Sequence, residues 1–310
     1  IFCREISWTI YIARIAFACG IAGMSTAGIV HIQNQVPAHR RTEVIGNFGS
    51  SGFLGMVLGS QLGDLIFYLT SDGFDRFNIL FGLAAALAVG YLVLVLLITR
   101  GVEHSRPEET PGPLPLLRQY WPGMILAVAM MMGVSFTVTS VFLTRMVTER
   151  GLGGIGMFFL AYCTAAFFFR VASSRWANRF GSDNLVLMGL CGHAAGHLML
   201  AHATAQWHLI FPAVTAGFGH ALLFPSVVAL GAGTFPRKYR GTGTTLVLGF
   251  TELGVALSAP LLGWIIDLSR EQGLEYPFRP MFYTSASVAF VVTGLYAWSA
   301  RRSRVRAERR

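Results

Sequence analysis

The side chains able to do chemistry in this sequence sit where charge is costly. Glu252 lies seven residues into an apolar run, bordered by Gly249 and Gly254. A carboxylate in such surroundings tends to face a partner or water and can exchange a proton there; a hydrogen bond to a neighbouring segment is its plainer role. His220 stands near the middle of another apolar run, where an imidazole can bind a solute, carry a proton or bond a backbone carbonyl. Arg14 is an isolated cation in a third run, which either reaches outward to headgroups or meets an anion inside. His193 and His197 are four residues apart, so a helix puts them on one face, a spacing that can hold a metal. Met130, Met131, Met132, Ser135, Phe136 and Thr139 offer a soft apolar wall with a few hydroxyls. Such a wall suits an amphipathic solute, or plain core.

Familiar catalytic constellations do not occur in the sequence. Lys238 is the only lysine and Tyr239 follows it, so there is no phosphate-binding Gly-Lys-Ser/Thr loop, and neither His-Glu-x-x-His nor Gly-x-Ser-x-Gly is found. Cys3, Cys19, Cys163 and Cys191 have no ligand spacing and read as packing residues. The expectation is therefore a protein that is not an enzyme and uses no cofactor or metal.

The elements that position these residues follow from composition. With 54% hydrophobic and 13% charged residues, a chain of 310 residues cannot hide its apolar side chains in a water-soluble core. Lipid is the solvent it needs. Nine apolar runs approach the roughly 20 residues of a spanning helix: approximately residues 8–30, 48–69, 79–99, 124–143, 155–172, 185–203, 209–232, 245–266 and 281–300. Each is expected to be helical, because backbone in hydrocarbon must satisfy its own hydrogen bonds. Runs such as 91–98 do not alternate polar and apolar residues, which argues against a transmembrane barrel.

Basic residues orient the bundle. One side collects Arg40, Arg41, Arg100, Arg106, Arg118, Arg170, Arg175, Arg179, Arg237, Lys238, Arg240 and the tail Arg301, Arg302, Arg304, Arg306, Arg309 and Arg310. The other holds Arg4, Arg76, Arg145, Arg150, Arg270 and Arg279. The positive-inside rule then predicts a cytoplasmic C-terminus in the plasma or inner membrane. The net charge of +9 needs no nucleic acid partner; the tail at 301–310 is expected against anionic headgroups, at about 1 kcal/mol per basic residue.

The chain also repeats itself. A shift of 199 positions aligns Gly20 with Gly219, Pro37 with Pro236, Arg41 with Arg240, Gly55 with Gly254 and Leu62 with Leu261. By that symmetry three further helices are expected before Ile1, turning nine into twelve. A Pro-rich polar link at 100–119 separates three helices in 1–99 from six in 120–300.

On these residues the chain resembles the major facilitator superfamily of secondary transporters, as family helices four to twelve. Arg14 and Gly20 resemble its fourth-helix signature, with Ala18 in place of a glycine. Gly55, Gly59, Leu62 and Gly63 resemble the fifth-helix signature of proton-driven antiporters, with Ser60 and Asp64 replacing its proline and last glycine. Arg175, Arg179 and Gly181 fit the family's cytoplasmic loop, where Ser174 and Asn178 depart from the pattern.

The resemblance implies an all-α membrane bundle of two pseudo-symmetric six-helix halves that moves a small solute, as a monomer, by alternating access. Arg14, Met131, Ser135, Phe136 and His220 are expected to line the path and Glu252 to couple it to protons. Gly20, Gly23, Gly28, Gly55, Gly59, Gly63, Gly254 and Gly263 are expected to let helices pack closely and rock. The sixth run would lie on the outside of the bundle, which argues against a metal at His193 and His197. Export is favoured over uptake; a proton-driven uptake symporter, a receptor or scaffold that moves nothing, and an inactive truncated product are the other readings.

Overall fold

The computed structural model describes residues 8–35, 41–70, 73–101 and 111–308, and every regular element among them is helical. The elements are α1 (Trp8–Gln35), α2 (Arg41–Leu69), α3 (Phe74–Ile98), α4 (Pro113–Gln119), α5 (Ile125–Thr137), α6 (Leu143–Glu149), α7 (Gly156–Phe180), α8 (Ser182–Ala201), α9 (Ile210–Gly233), α10 (Arg240–Glu271) and α11 (Phe278–Glu308). Eight stretches of the described residues are long and apolar enough to cross a membrane; α5 and α6 join into one of them through a π turn at Val138–Phe142. The run expected at 155–172 is the apolar part of α7, Gly156–Ala172, and falls short of that length. Inside the 100–119 link, Pro113 opens the short helix α4, a position where its missing N–H costs nothing; residues 102–110 of the link lie outside the described residues.

Two compact units divide the chain. The first holds Ile1–Gly49 and Leu58–Thr110, the second Ser50–Val57 and Pro111–Arg310. In the first, α1 and α2 meet where Gly28 leaves room for the Phe48 ring, and Arg76 lies over the Phe67 and Phe77 rings at 4.7 and 5.3 Å. In the second, the joined α5–α6 span and then α7 to α11 run up and down in alternation, as the contacts at their ends show. At one end Arg150 and Arg279 donate to the carbonyls of Ala203 and Ala201 where α8 stops, and Arg270 pairs with Glu149 at 2.7 Å. At the other, Thr234 donates to the Tyr120 carbonyl and Tyr296 to Asp183.

Helix packing in the second unit rests on glycines. A Cβ on Gly133 would come within 2.0 Å of the Thr251 carbonyl oxygen, and one on Gly254 within 2.1 Å of that of Met130, so α5 and α10 cross backbone to backbone. A buried bond from the Ser258 hydroxyl to Thr137 Oγ1, 2.9 Å, locks the same crossing. Helix α9 is held on two sides: Gly217 sits against the α7 backbone at Tyr162, and Gly219 against Gly189 and His193 of α8. These are the glycines that close the bundle. Gly20, Gly55, Gly59 and Gly63, expected to do so, face open space: a Cβ on any of them would meet nothing within 4 Å, and one on Gly263 only ordinary contact with Phe142. Of the glycines named from the sequence, Gly254 sits in a backbone crossing and Gly28 against the Phe48 ring, while Gly23 too meets nothing within 4 Å.

Candidate functional site

A polar cluster within the second unit lies between α7 and α9. His220 of α9 shares a hydrogen bond of 2.7 Å between its Nδ1 and the Tyr162 hydroxyl of α7, whose ring is buried. The imidazole stacks on Phe224 one turn further along, with centroids 6.1 Å apart and planes 17° apart. Phe53, from the Ser50–Val57 segment of the same unit, meets it edge-on at 5.3 Å. Arg170 of α7 completes the cluster. Its guanidinium lies 5.3 Å from the Phe224 centroid, and Nη1 donates at 3.4 Å to the Ala221 carbonyl.

Local chemistry explains why that carbonyl is available. Pro225 inside α9 has no N–H to give to the residue four before it, and that residue is Ala221. A carbonyl freed within hydrocarbon must find another donor. Arg170 supplies it, so one proline ties a cation of α7 to α9 beside His220. The cluster thus combines a hydroxyl, an imidazole and a guanidinium with aromatic faces. Such a set can hold an aromatic or amphipathic solute and hand a proton between Tyr162 and His220.

The expected path residues do not all gather there. His220 does. Arg14 is exposed on α1, and Glu252 is exposed on α10. Met131 and Ser135 lie on the packed side of α5, buried, whereas Phe136 is 46% exposed. Arg170, counted among the loop charges, lies within the apolar stretch Gly156–Ala172 of α7 and packs on α9. The loop expected around Arg175, Arg179 and Gly181 is shorter than predicted: α7 continues through both arginines, whose side chains lie outside the described residues, and only Gly181, at φ 77°, separates α7 from α8. A glycine alone accepts that left-handed break readily.

His193 and His197, on the run expected to pack on the outside of the bundle, are 5% and 1% exposed. Helix α8 packs against both α9 and α11, and this face is turned inward. Among the described residues no cluster of three metal-ligating side chains occurs. Of the cysteines, Cys163 is buried as expected, Cys19 and Cys191 are exposed, and Cys3 lies outside the described residues.

Sequence reasoning missed Tyr162 and misplaced Arg170. The signal for Arg170 was there: it follows Phe167, Phe168 and Phe169 and falls inside the 155–172 run. The signal for its partner was Pro225, five residues after His220.

Comparison with known proteins bears on the whole chain. The model of the Major Facilitator Superfamily matches in two overlapping stretches, residues 2–204 and 125–310. An uncharacterized MFS-type transporter of Pseudomonas aeruginosa is 25% identical over 182 residues, which is 59% of this chain and 43% of that protein. The multidrug resistance protein MdtH of Yersinia pestis is 28% identical over 122 residues, 39% of this chain and 28% of that protein. The matched stretch spans less than half the length of either relative. With its apolar helical bundle, the chain belongs to the major facilitator superfamily, a family of multi-pass membrane transporters and not of enzymes.

Proposed function

We propose that the chain serves secondary active transport of a small amphipathic solute, by alternating access between two helical halves and in exchange for protons. The observation that carries this reading is the Tyr162–His220–Arg170 cluster, three ionisable side chains brought together between apolar helices of a chain of a transporter family. Groups of that kind within a membrane span tend to mark a solute or proton path. His220 is the centre of the binding site. Phe136 lines the path with Met131 and Ser135 behind it, Arg14 contributes a cation from α1, and Glu252 of α10 is the carboxylate that takes up and releases the proton. Residues 1–99 supply three helices of one moving half and residues 120–300 form the other, with its C-terminus in the cytoplasm. Export is supported by the name of the MdtH relative, a multidrug resistance protein.

The test is accumulation of a fluorescent lipophilic cation by proteoliposomes under an imposed pH gradient. Transport requires accumulation that disappears when a protonophore collapses the gradient. Accumulation of equal size with and without the gradient overturns proton coupling, and none above empty liposomes overturns transport by this chain.

A further inference from the structure

Helix α8 carries two imidazoles that the site above does not use. His193 and His197 lie buried in the second unit, with ring centroids 6.3 Å apart and planes tilted by 48°. Nδ1 of His193 and both ring nitrogens of His197 lack a hydrogen-bond partner. The backbone of Ser285 on α11 lies beside His197 without reaching hydrogen-bond geometry. A neutral imidazole always has one N–H to give and one nitrogen to receive. Leaving both unmet in an apolar interior is costly, and buried polar atoms in this condition are usually met by water.

The two rings are not isolated from the site or from the surface. A Cβ on Gly219 would fall 3.1 Å from Nε2 of His193, so this ring occupies the space that the missing side chain leaves immediately before His220. His193 is within electrostatic reach of both His220 and His197. Four residues beyond His197 the helix ends at Ala201, and the next residue, His202, is bonded through Nε2 to the Tyr283 hydroxyl at 3.0 Å, both side chains exposed. At about 1.5 Å per residue, His193 to His202 spans about 14 Å. The titratable groups at its two ends are His220 on α9 with its partners Tyr162 and Arg170 on α7, and Arg279 and Tyr283 on α11 beside Ala201 and His202. No carboxylate is among these.

We propose that His193 and His197 are the middle stations of a water-bridged proton path along α8, joining the Tyr162–His220 pair to the end of the bundle at His202. It rests on the transport reading for its purpose but not for its existence. In each hop a hydronium gives its extra proton to the free ring nitrogen while the opposite N–H releases one to the next water, so the first water is left neutral and the next becomes the hydronium. The ring ends neutral, in its other tautomer, and rotation of the ring resets it for the next proton. No charge is left in the apolar interior, which the absence of carboxylates requires.

The experiment uses the whole chain in lipid nanodiscs, with 15N-labelled histidine, and reads exchange of the ring N–H protons with water. The result expected is exchange at His193 and His197 at least 1,000-fold faster than that of the α8 backbone amides around them. Exchange as slow as those amides means a dry pair and overturns the path. In proteoliposomes holding a pH-sensitive dye, proton entry under an imposed membrane potential should fall at least tenfold in H197L and stay near wild type in H208Q. Unchanged entry in an H197L protein that melts as the wild type does also overturns it. A chain that exchanges ring protons fast yet moves no solute would instead contradict the transport reading alone.

Discussion

At the scale of single residues, the bond between Tyr162 and His220 and the reach of Arg170 to the Ala221 carbonyl make different demands. Tyr162→Phe removes one hydrogen bond and keeps the ring that stacks on Phe158 at 6.0 Å. Thermal stability should change little, by about 1 kcal/mol, while proton-driven solute accumulation drops at least tenfold. An equal drop in stability and transport would make Tyr162 a packing residue. Arg170→Lys keeps the charge but loses the planar face that lies over Phe224. The expected outcome is weakened solute binding, and binding at wild-type strength would show that charge alone matters. His220 was legible in the sequence because an imidazole in an apolar run has few explanations. Arg170 was not, because Arg175 and Arg179 follow it closely enough to suggest a loop.

At the scale of elements, close helix crossings are governed by which glycine meets which backbone. Gly133→Leu must push a side chain into the Thr251 carbonyl, and Gly254→Leu into that of Met130. Each should destabilise the second unit by about 2 kcal/mol or more. A change to alanine at Gly55 or Gly59 meets nothing within 4 Å. Exposed helical glycine gains about 0.5–1 kcal/mol on becoming alanine, so the melting temperature should hold or rise. A loss of stability there matching that of Gly133→Leu would mean these glycines are packed after all. Helices themselves were plain in the sequence, since apolar length in lipid leaves the backbone few alternatives. Glycine pairing was not, because a glycine's partner lies on another helix: Gly133 and Gly219 look no different in the sequence from Gly55. The inward face of α8 was hidden for the same reason, as nothing near His193 and His197 announces that Gly189 and Gly192 draw α9 against them.

At the scale of the whole molecule, the charge asymmetry predicts an orientation that labelling can test. With Cys3, Cys19, Cys163 and Cys191 replaced by serine, a cysteine introduced at Ser303 should resist a membrane-impermeant thiol reagent in intact cells, and one at Gly151 should react. The reverse pattern would turn the bundle over and put His202 at the cytoplasmic face. Composition and charge carried the fold class in full, because they report the solvent of the whole chain and not the placement of any one residue. They could not place the site, which depends on Pro225 freeing a single carbonyl and on one arginine finding it.

Solute counterflow by the chain in proteoliposomes, wild type against His220→Leu, tests the central claim most directly. Counterflow needs no gradient and reads binding and alternation alone. Transport through a site centred on His220 predicts exchange of a labelled lipophilic cation by the wild-type chain and at least a tenfold loss in the variant, with its melting temperature kept. Exchange by the variant at the wild-type rate would contradict it.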